Sequence, residues 1–375
     1  MAESQASESH GSEAHRPESR AAASQPNYRL PPEIVLRHKS TGLARLFGWL
    51  GWLGFFLAGA LLLSVLSSQA DYYSGDGDAT ERYHSGEKYS LNKVAIITLE
   101  GVIMDGDGFV KQQIDHIRDD ENVKAVVLRV NSPGGTVTGS DYIFHHLKRL
   151  RKEKDIPIVV SMGSIAASGG YYAAMAVGDQ KDSIYAEPTT TTGSIGVIVP
   201  HYDVTGLMER YDIADDSIAS HPNKQMLSMT RKLSDEQRAL VQDYVNESFE
   251  RFKSIVKEGR PLYQKDPDAL EQLATGEVFT ADKAKKFGLV DRIGFIEDAI
   301  ERAAELADLD QKKYRVVDFE RPVSALELIG LSARAGRGQA SELSALLELN
   351  SRRAYFIATT LPPLISSSKA YGSAD

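Results

Sequence analysis

From about residue 92 onward, short apolar runs alternate with stretches whose apolar positions recur at helical spacing. Val94-Ala95-Ile96-Ile97-Thr98-Leu99 has the β-branched content of a strand, and a helix is predicted from Val110 to Arg118. Ala125 to Val130 and Ile156 to Ser161 repeat the strand pattern on either side of a helix predicted near Ser140 to Lys152. A helical segment through Ala173-Ala174-Met175-Ala176 comes next, and then strands over Ser183 to Ala186 and Gly196 to Val199. Such an order argues for repeated β-α crossovers and a parallel sheet, an α/β fold.

Leu233 to Lys257 reads as one long amphipathic helix. Ser234 caps it with Gln237 three residues on, and Leu240, Val241, Tyr244, Val245, Phe249, Phe252 and Ile255 form its apolar stripe, suited to core packing or to a subunit contact. Ala281 to Phe287 predicts a short helix closed at Gly288 in the left-handed conformation. A helix to about Leu306 and a strand from Tyr314 to Phe319 complete the pattern. Residues 321–375 read as a helical extension with a loose Ser-rich end, and no internal duplication is visible.

The N-terminal part differs. From Leu46 to Leu66 no charged residue occurs, a run long enough to cross a bilayer as a helix, with Trp49 and Trp52 near one end as interfacial anchors. Arg37, Lys39 and Arg45 precede it, and Asp71, Asp76 and Asp78 come after it. The positive-inside rule then makes the N-terminus cytoplasmic and places everything after about residue 70 outside the cytoplasm. Ser68-Gln69-Ala70 resembles a small-x-small cleavage site, but the run is longer than a signal-peptide core and is preceded by a tail of about 45 residues, which favours an uncleaved anchor. Residues 1–45 read as a disordered cytoplasmic tail, 46–66 as a transmembrane helix, 67–90 as a juxtamembrane linker and 91–320 as the folded domain.

The 375 residues, 42% hydrophobic and 25% charged, suffice for one large or two ordinary domains. A net charge of −9 without any basic stripe gives no nucleic-acid footprint. With no cysteine, disulfides, thiol catalysis and cysteine metal sites are excluded, and no His/Asp/Glu cluster has metal-ligand spacing. No cofactor is implied.

Candidate chemistry centres on Gly163-Ser164-Ile165-Ala166-Ala167-Ser168-Gly169-Gly170-Tyr171-Tyr172, which runs from the strand Pro157-Ile158-Val159-Val160 into a helix former. A serine at such a turn, hemmed by Ala and Gly, holds its oxygen clear and lets a substrate carbonyl approach the backbone. Gly169 can supply one oxyanion amide. A second can come from the glycines of Asn131-Ser132-Pro133-Gly134-Gly135, between a strand and a helix, although Pro-Gly-Gly by itself also reads as a type II turn. None of the nine histidines falls inside these motifs; His145, His146, His201 and His221 remain open as bases. The other option is a lysine kept neutral by burial, with Lys224, Lys181 and Lys232 as choices. The uncharged run Thr189 to Ser194 suits a lysine that must lose its proton, because a carboxylate there would stabilise the cation.

Asn131 to Gly135, Met162 to Tyr172 and Thr192-Gly193-Ser194-Ile195-Gly196-Val197 resemble three successive motifs of the signal peptide peptidase A family, membrane-anchored serine peptidases of bacteria. Gly276 to Ala284, continued by Gly288-Leu289-Val290-Asp291-Arg292-Ile293-Gly294, resembles a fourth, so that the likeness spans roughly residues 92–320. The resemblance implies a Clp/crotonase-like spiral of ββα units. It implies Ser168 as nucleophile, Lys224 as general base, Ser194 as the serine that orients the lysine, and Gly135 (or its neighbour Gly134) and Gly169 as the oxyanion amides. It implies peptide hydrolysis through an acyl-enzyme, with remnant signal peptides and other membrane-released or misfolded chains as substrates. For a single-copy member it further implies a ring-like homo-oligomer whose sites are shared between subunits, so Ser168 and Lys224 pair either in cis or in trans, trans being preferred. Two other readings of the same fold are a crotonase-type acyl-CoA enzyme, whose substrates lie on the cytoplasmic side, and a catalytically silent membrane scaffold.

Overall fold

The computed structural model describes residues 49–63, 79–310, 313–321 and 354–357. The chain divides into two units, 1–68 and 69–375. In the first, residues 49–63 form a helix, α1, with Trp49, Trp52, Phe55 and Phe56 exposed. Among the described residues no helix is long and apolar enough to cross a membrane; both ends of the uncharged run 46–66 lie outside them. The N-terminal tail and residues 322–353, for which pieces of helix are expected from the sequence, lie outside them as well.

The second unit is built on a ten-stranded sheet. In chain order it contains β1 (Thr80–Gly86), β2 (Lys93–Ile103), α2 (Phe109–Asp119), β3 (Val123–Thr136), α3 (Val137–Lys154), β4 (Ile158–Ala167), α4 (Gly169–Ala174), β5 (Ile184–Ala186) and β6 (Thr191–Gly193). Then come α5 (Thr205–Arg210), α6 (Asp235–Gly259), α7 (Leu262–Lys265), α8 (Pro267–Leu273), β7 (Val278–Thr280), α9 (Ala281–Phe287), β8 (Arg292–Ile293), α10 (Ile296–Leu306), β9 (Arg315–Glu320) and β10 (Tyr355–Ile357). The main path runs β1-β9-β2-β3-β4-β5-β8, with every pair parallel except β1–β9.

Helices cover both faces of this sheet, which is why its strands read as near-continuous apolar runs. On one face Ala95, Ile97, Leu99, Val126, Leu128 and Val160 are buried in the cluster that includes Ile114, Leu147, Tyr172 and Phe252. On the other, Val94, Ile96, Ala125, Val127 and Val159 meet Ala299, Ile300, Ala303 and Ala304 of α10. The period of two along β2 thus sends alternate residues into different cores.

Several boundaries differ from the sequence expectation. The segment read as juxtamembrane linker holds β1, whose Arg82 pairs with Asp318 of β9. Gly196 to Val199 is no strand: among the described residues it makes a single bridge, Ile198 to Tyr355. The Pro133-Gly134-Gly135 stretch is no isolated turn either. β3 runs through it to Thr136, because Ser132 Oγ holds Gly101 O at 2.6 Å and Thr136 Oγ1 holds Met104 O at 2.8 Å, keeping the strand against the end of β2. The apolar stripe of α6 divides in two, with Phe252 and Ile255 in the core and Leu240 and Tyr244 exposed.

Candidate active site

The long parallel strands β3 and β4 run side by side, and the turns at their C-terminal ends build the site. Ser168 lies at the turn from β4 into α4, with φ 53° and ψ −114°. A β-carbon makes this left-handed region unfavourable, so the neighbours must hold it. They do so through the backbone: Ser168 N–H donates to Gly193 O at 2.8 Å, and Ser168 O accepts from Tyr172 N at 2.8 Å. The serine is 1% exposed, and its Oγ, buried and free of any hydrogen-bond partner, is one of four such side-chain atoms among the described residues. An unpaired buried hydroxyl is costly and therefore informative.

Close backbone approach explains the glycines. A Cβ on Gly134, whose φ is +98°, would lie 2.6 Å from Gly169 N and 2.1 Å from Phe356 O. A Cβ on Gly169 would meet Ser140 Oγ at 2.3 Å and Phe356 O at 3.1 Å. Gly134 and the Gly169 amide therefore face one another across a notch too narrow for any side chain. The carbonyl oxygen of Phe356 occupies that notch.

Phe356 belongs to β10, which sequence reasoning missed, having assigned residues 321–375 to a helical extension and loose tail. β10 runs antiparallel to the end of β3, with Tyr355 opposite Thr136, Phe356 opposite Gly135 and Ile357 opposite Gly134. On its other side Tyr355 exchanges backbone hydrogen bonds with Ile198, at 2.9 and 3.0 Å. The Phe356 ring is fully buried, with ring centroids 5.1 Å from Tyr172 and 4.6 Å from Phe252. The short unbroken apolar run Ala354-Tyr355-Phe356-Ile357, with its aromatic and β-branched residues, was the available signal.

Ser194 sits beside the serine turn, 5% exposed and with φ 51°. It comes directly after Gly193, the acceptor for Ser168 N, and its own N–H donates to Glu277 O at 2.6 Å. The fourth motif accounts for this: β7, next to Glu277, pairs antiparallel with β6, and β6 pairs with the last residues of β4. The threonine run is buried hydroxyl chemistry rather than a bare polar loop. Thr192 Oγ1 donates to Ala166 O and Thr190 Oγ1 to Gly163 O, both at 2.6 Å, so no carboxylate is needed to satisfy the end of β4.

Ser168, Ser194, Gly134, Gly135 and Gly169 are therefore brought together within one chain. Lys224 is not. It lies exposed in the 3-10 turn Pro222–Gln225, capped by His221 Nδ1, which accepts from Asn223 N at 3.1 Å. The unpaired Ser168 Oγ excludes a hydrogen bond between the two within this chain. His201 instead contacts Ser228 O at 3.3 Å, His145 is exposed on α3, and His146 packs on Tyr142; burial together with Lys111 nearby lowers the His146 pKa. Lys181 is exposed on the turn before β5, and Lys232 on the loop before α6. Among the described residues no group of His, Cys, Asp or Glu could hold a metal ion.

Comparison with known proteins identifies the family. Residues 150–310 match the model of peptidase family S49. The chain is 35% identical to an Enterococcus faecium protein bearing the name signal peptide peptidase SppA, over 61% of this chain and 67% of that one. It is 36% identical to a Synechocystis protein named as a protease, over 61% and 80%. It is 32% identical to the chloroplastic serine protease SPPA of Arabidopsis thaliana, over 57% of this chain and 31% of that longer one. Two of these relatives are 35% and 36% identical and are matched over 67% and 80% of their own length, and the chain belongs to the signal peptide peptidase A family, the S49 serine peptidases.

Proposed function

We propose that the protein is a membrane-anchored endopeptidase in which Ser168 is the nucleophile and Lys224 of a neighbouring copy is the general base. The carrying observation is the buried Ser168 Oγ, unpaired beside a notch already filled by a peptide carbonyl. Attack by Ser168 on a carbonyl lying where that of Phe356 lies would put the developing oxyanion against the amides of Gly135 and Gly169. Lys224 would take the Ser168 proton, return it to the leaving amine and then activate water for deacylation, with Ser194 orienting the amine.

Two observations favour a peptide as substrate. The chain's own extended segment binds the groove by strand addition between β3 and Ile198, the mode by which a peptide is held through its backbone. Phe356 also fills an apolar pocket walled by Tyr172 and Phe252. Remnant signal peptides and other membrane-released or misfolded chains have this extended apolar character.

Trans pairing is favoured by the exposed position of Lys224 and by apolar surface left uncovered in the single chain. Leu207, Tyr211, Ile213 and Ile218 near the lysine loop are exposed, as are Leu240 and Tyr244 on α6. A homo-oligomer would cover them. The uncharged run 46–66, about 30 Å long as a helix, would anchor the chain in the cytoplasmic membrane with the peptidase unit outside the cytoplasm.

A fluorophosphonate probe tests the central assignment. Labelling of wild type but not of Ser168→Ala, together with loss of peptide hydrolysis in that variant, is expected. Equal labelling of both would remove Ser168 from its role.

A further inference from the structure

The loop that carries Lys224 is organised by one carboxylate. Asp215 accepts from the amide and hydroxyl of Ser217, from Thr230 Oγ1 and, at 3.1 Å, from Arg231 Nε. Arg231 also reaches the carbonyls of Asp215 and Ser217, each at 3.3 Å. Ser217 O in turn accepts at 3.1 Å from Gln225, the residue after Lys224. A chain of short contacts thus runs from Arg231 through Asp215 and Ser217 to the turn that presents the lysine. The Asp215 side chain is 13% exposed, and Asp215 and Lys224 line one cavity of about 800 Å³.

The Ser217 hydroxyl first, then Thr230, the Ser217 amide and Arg231, hold the Asp215 carboxyl well below the usual carboxylate range, so it stays charged. This raises a chemical difficulty. A carboxylate sharing a cavity with a base lysine favours the ammonium form and removes the base. The cation set against that carboxylate is Arg231.

Resting on the assignment of Lys224 as base, we infer that Arg231 is a positioning residue for the reaction: paired with Asp215, it fixes the lysine loop and offsets the carboxylate charge that would otherwise keep the amine protonated. The other ionisable groups on or beside this loop are Asp203; Glu209 and Arg210 at the end of α5; Tyr211, Asp212, Asp216, His221 and Lys232; Asp235, Glu236 and Arg238 in the first turn of α6; and His201, which contacts Ser228 O. All but the half-buried His201 are exposed, and none is altered in the variants that test the inference.

The test uses the full-length chain as wild type, Arg231→Gln, Asp215→Asn and the double variant, with the pH dependence of kcat/KM measured on one internally quenched peptide. Loss of the cation leaves a bare carboxylate, so the midpoint of Arg231→Gln moves up in pH. Loss of the carboxylate leaves a bare cation, so the midpoint of Asp215→Asn moves down. Each shift is about 0.5 to 1 pH unit, the size of one unit charge removed from a partly solvated loop, and the double variant returns near wild type. A purely structural clamp lowers activity in both single variants without opposite displacements, and that result overturns the inference.

The rate of Lys224 acetylation against pH, read by mass spectrometry, gives the same ordering where a variant turns over too slowly; identical profiles there also overturn it. Lys224→Met separates the two levels. If that variant keeps wild-type activity, the base assignment itself fails and the role of Arg231 in the reaction with it. If it is inactive while the four midpoints coincide, only the inference about Arg231 fails.

Discussion

Gly134→Ala probes the notch at its narrowest point. The native φ of +98° costs an alanine about 1–2 kcal/mol of backbone strain. The added methyl would lie 2.6 Å from Gly169 N and 2.1 Å from Phe356 O, and both obstacles are backbone atoms that no rotamer change can move. To reach even a tight contact of about 3.0 Å, β3 and β10 must part by about 0.9 Å, and the tip of β3 and the start of α4 by about 0.4 Å. Oxyanion donors work within about 2.7–3.1 Å, and loss of one lowers kcat by about 10²–10³, equivalent to about 2.7–4 kcal/mol in the transition state. The stability lost is smaller than the roughly 5–15 kcal/mol that keeps a domain folded, so the loss of activity is measured on a native population. The assay is kcat on a quenched peptide, with thermal unfolding as a check that the chain remains folded. A folded Gly134→Ala protein with kcat within about threefold of wild type would refute the notch as the oxyanion site.

Other parts of the structure carry their own expected outcomes. Ser168→Gly is expected to be more stable than Ser168→Ala by about 1 kcal/mol, because glycine relieves the strain at φ 53°; thermal unfolding of the two inactive variants decides it. Phe356→Ala empties the pocket between Tyr172 and Phe252 and loosens β10, so KM for an added peptide falls several-fold with kcat unchanged; an unaltered KM would mean that β10 does not compete for the groove. Burial raises the pKa of Asp120, but the hydrogen bonds from Lys93 and from the Asn122 amide, together with the Lys93 charge, outweigh it, and the net shift is downward. A depressed carboxyl stabilises the fold at neutral pH and loses that contribution as pH falls through its folded-state value, so Asp120→Asn flattens the acid limb of the stability curve. An acid limb identical to that of wild type contradicts this.

Much of the architecture was legible because its signals are local. The strand runs of β2 to β5 and the capping box at Ser234 and Gln237 fall where periodicity and capping chemistry put them, as does the left-handed cap at Gly288. The linker reading of residues 80–86 failed because the partner that makes them a strand, β9, lies more than 200 residues away. Pro133-Gly134-Gly135 carries turn residues, yet Ser132 and Thr136 pin it to β2 and β10 pairs with it, so tertiary contacts override local propensity. The turn that carries Ser168 was visible from its small residues. The role of β10 was hidden in four residues of an otherwise unpatterned segment. Nothing local could reveal that Ser168 and Lys224 lie apart within one chain, since spacing along a sequence carries no information about neighbouring copies.

Mixing two inactive proteins tests the shared site most directly. Ser168→Ala retains the lysine and Lys224→Ala retains the serine. Random co-assembly of equal amounts in a head-to-tail ring joins an intact serine to an intact lysine at about one site in four, so roughly a quarter of wild-type activity should return. Verified mixed oligomers that remain as inactive as either parent would contradict a dyad built between neighbouring chains.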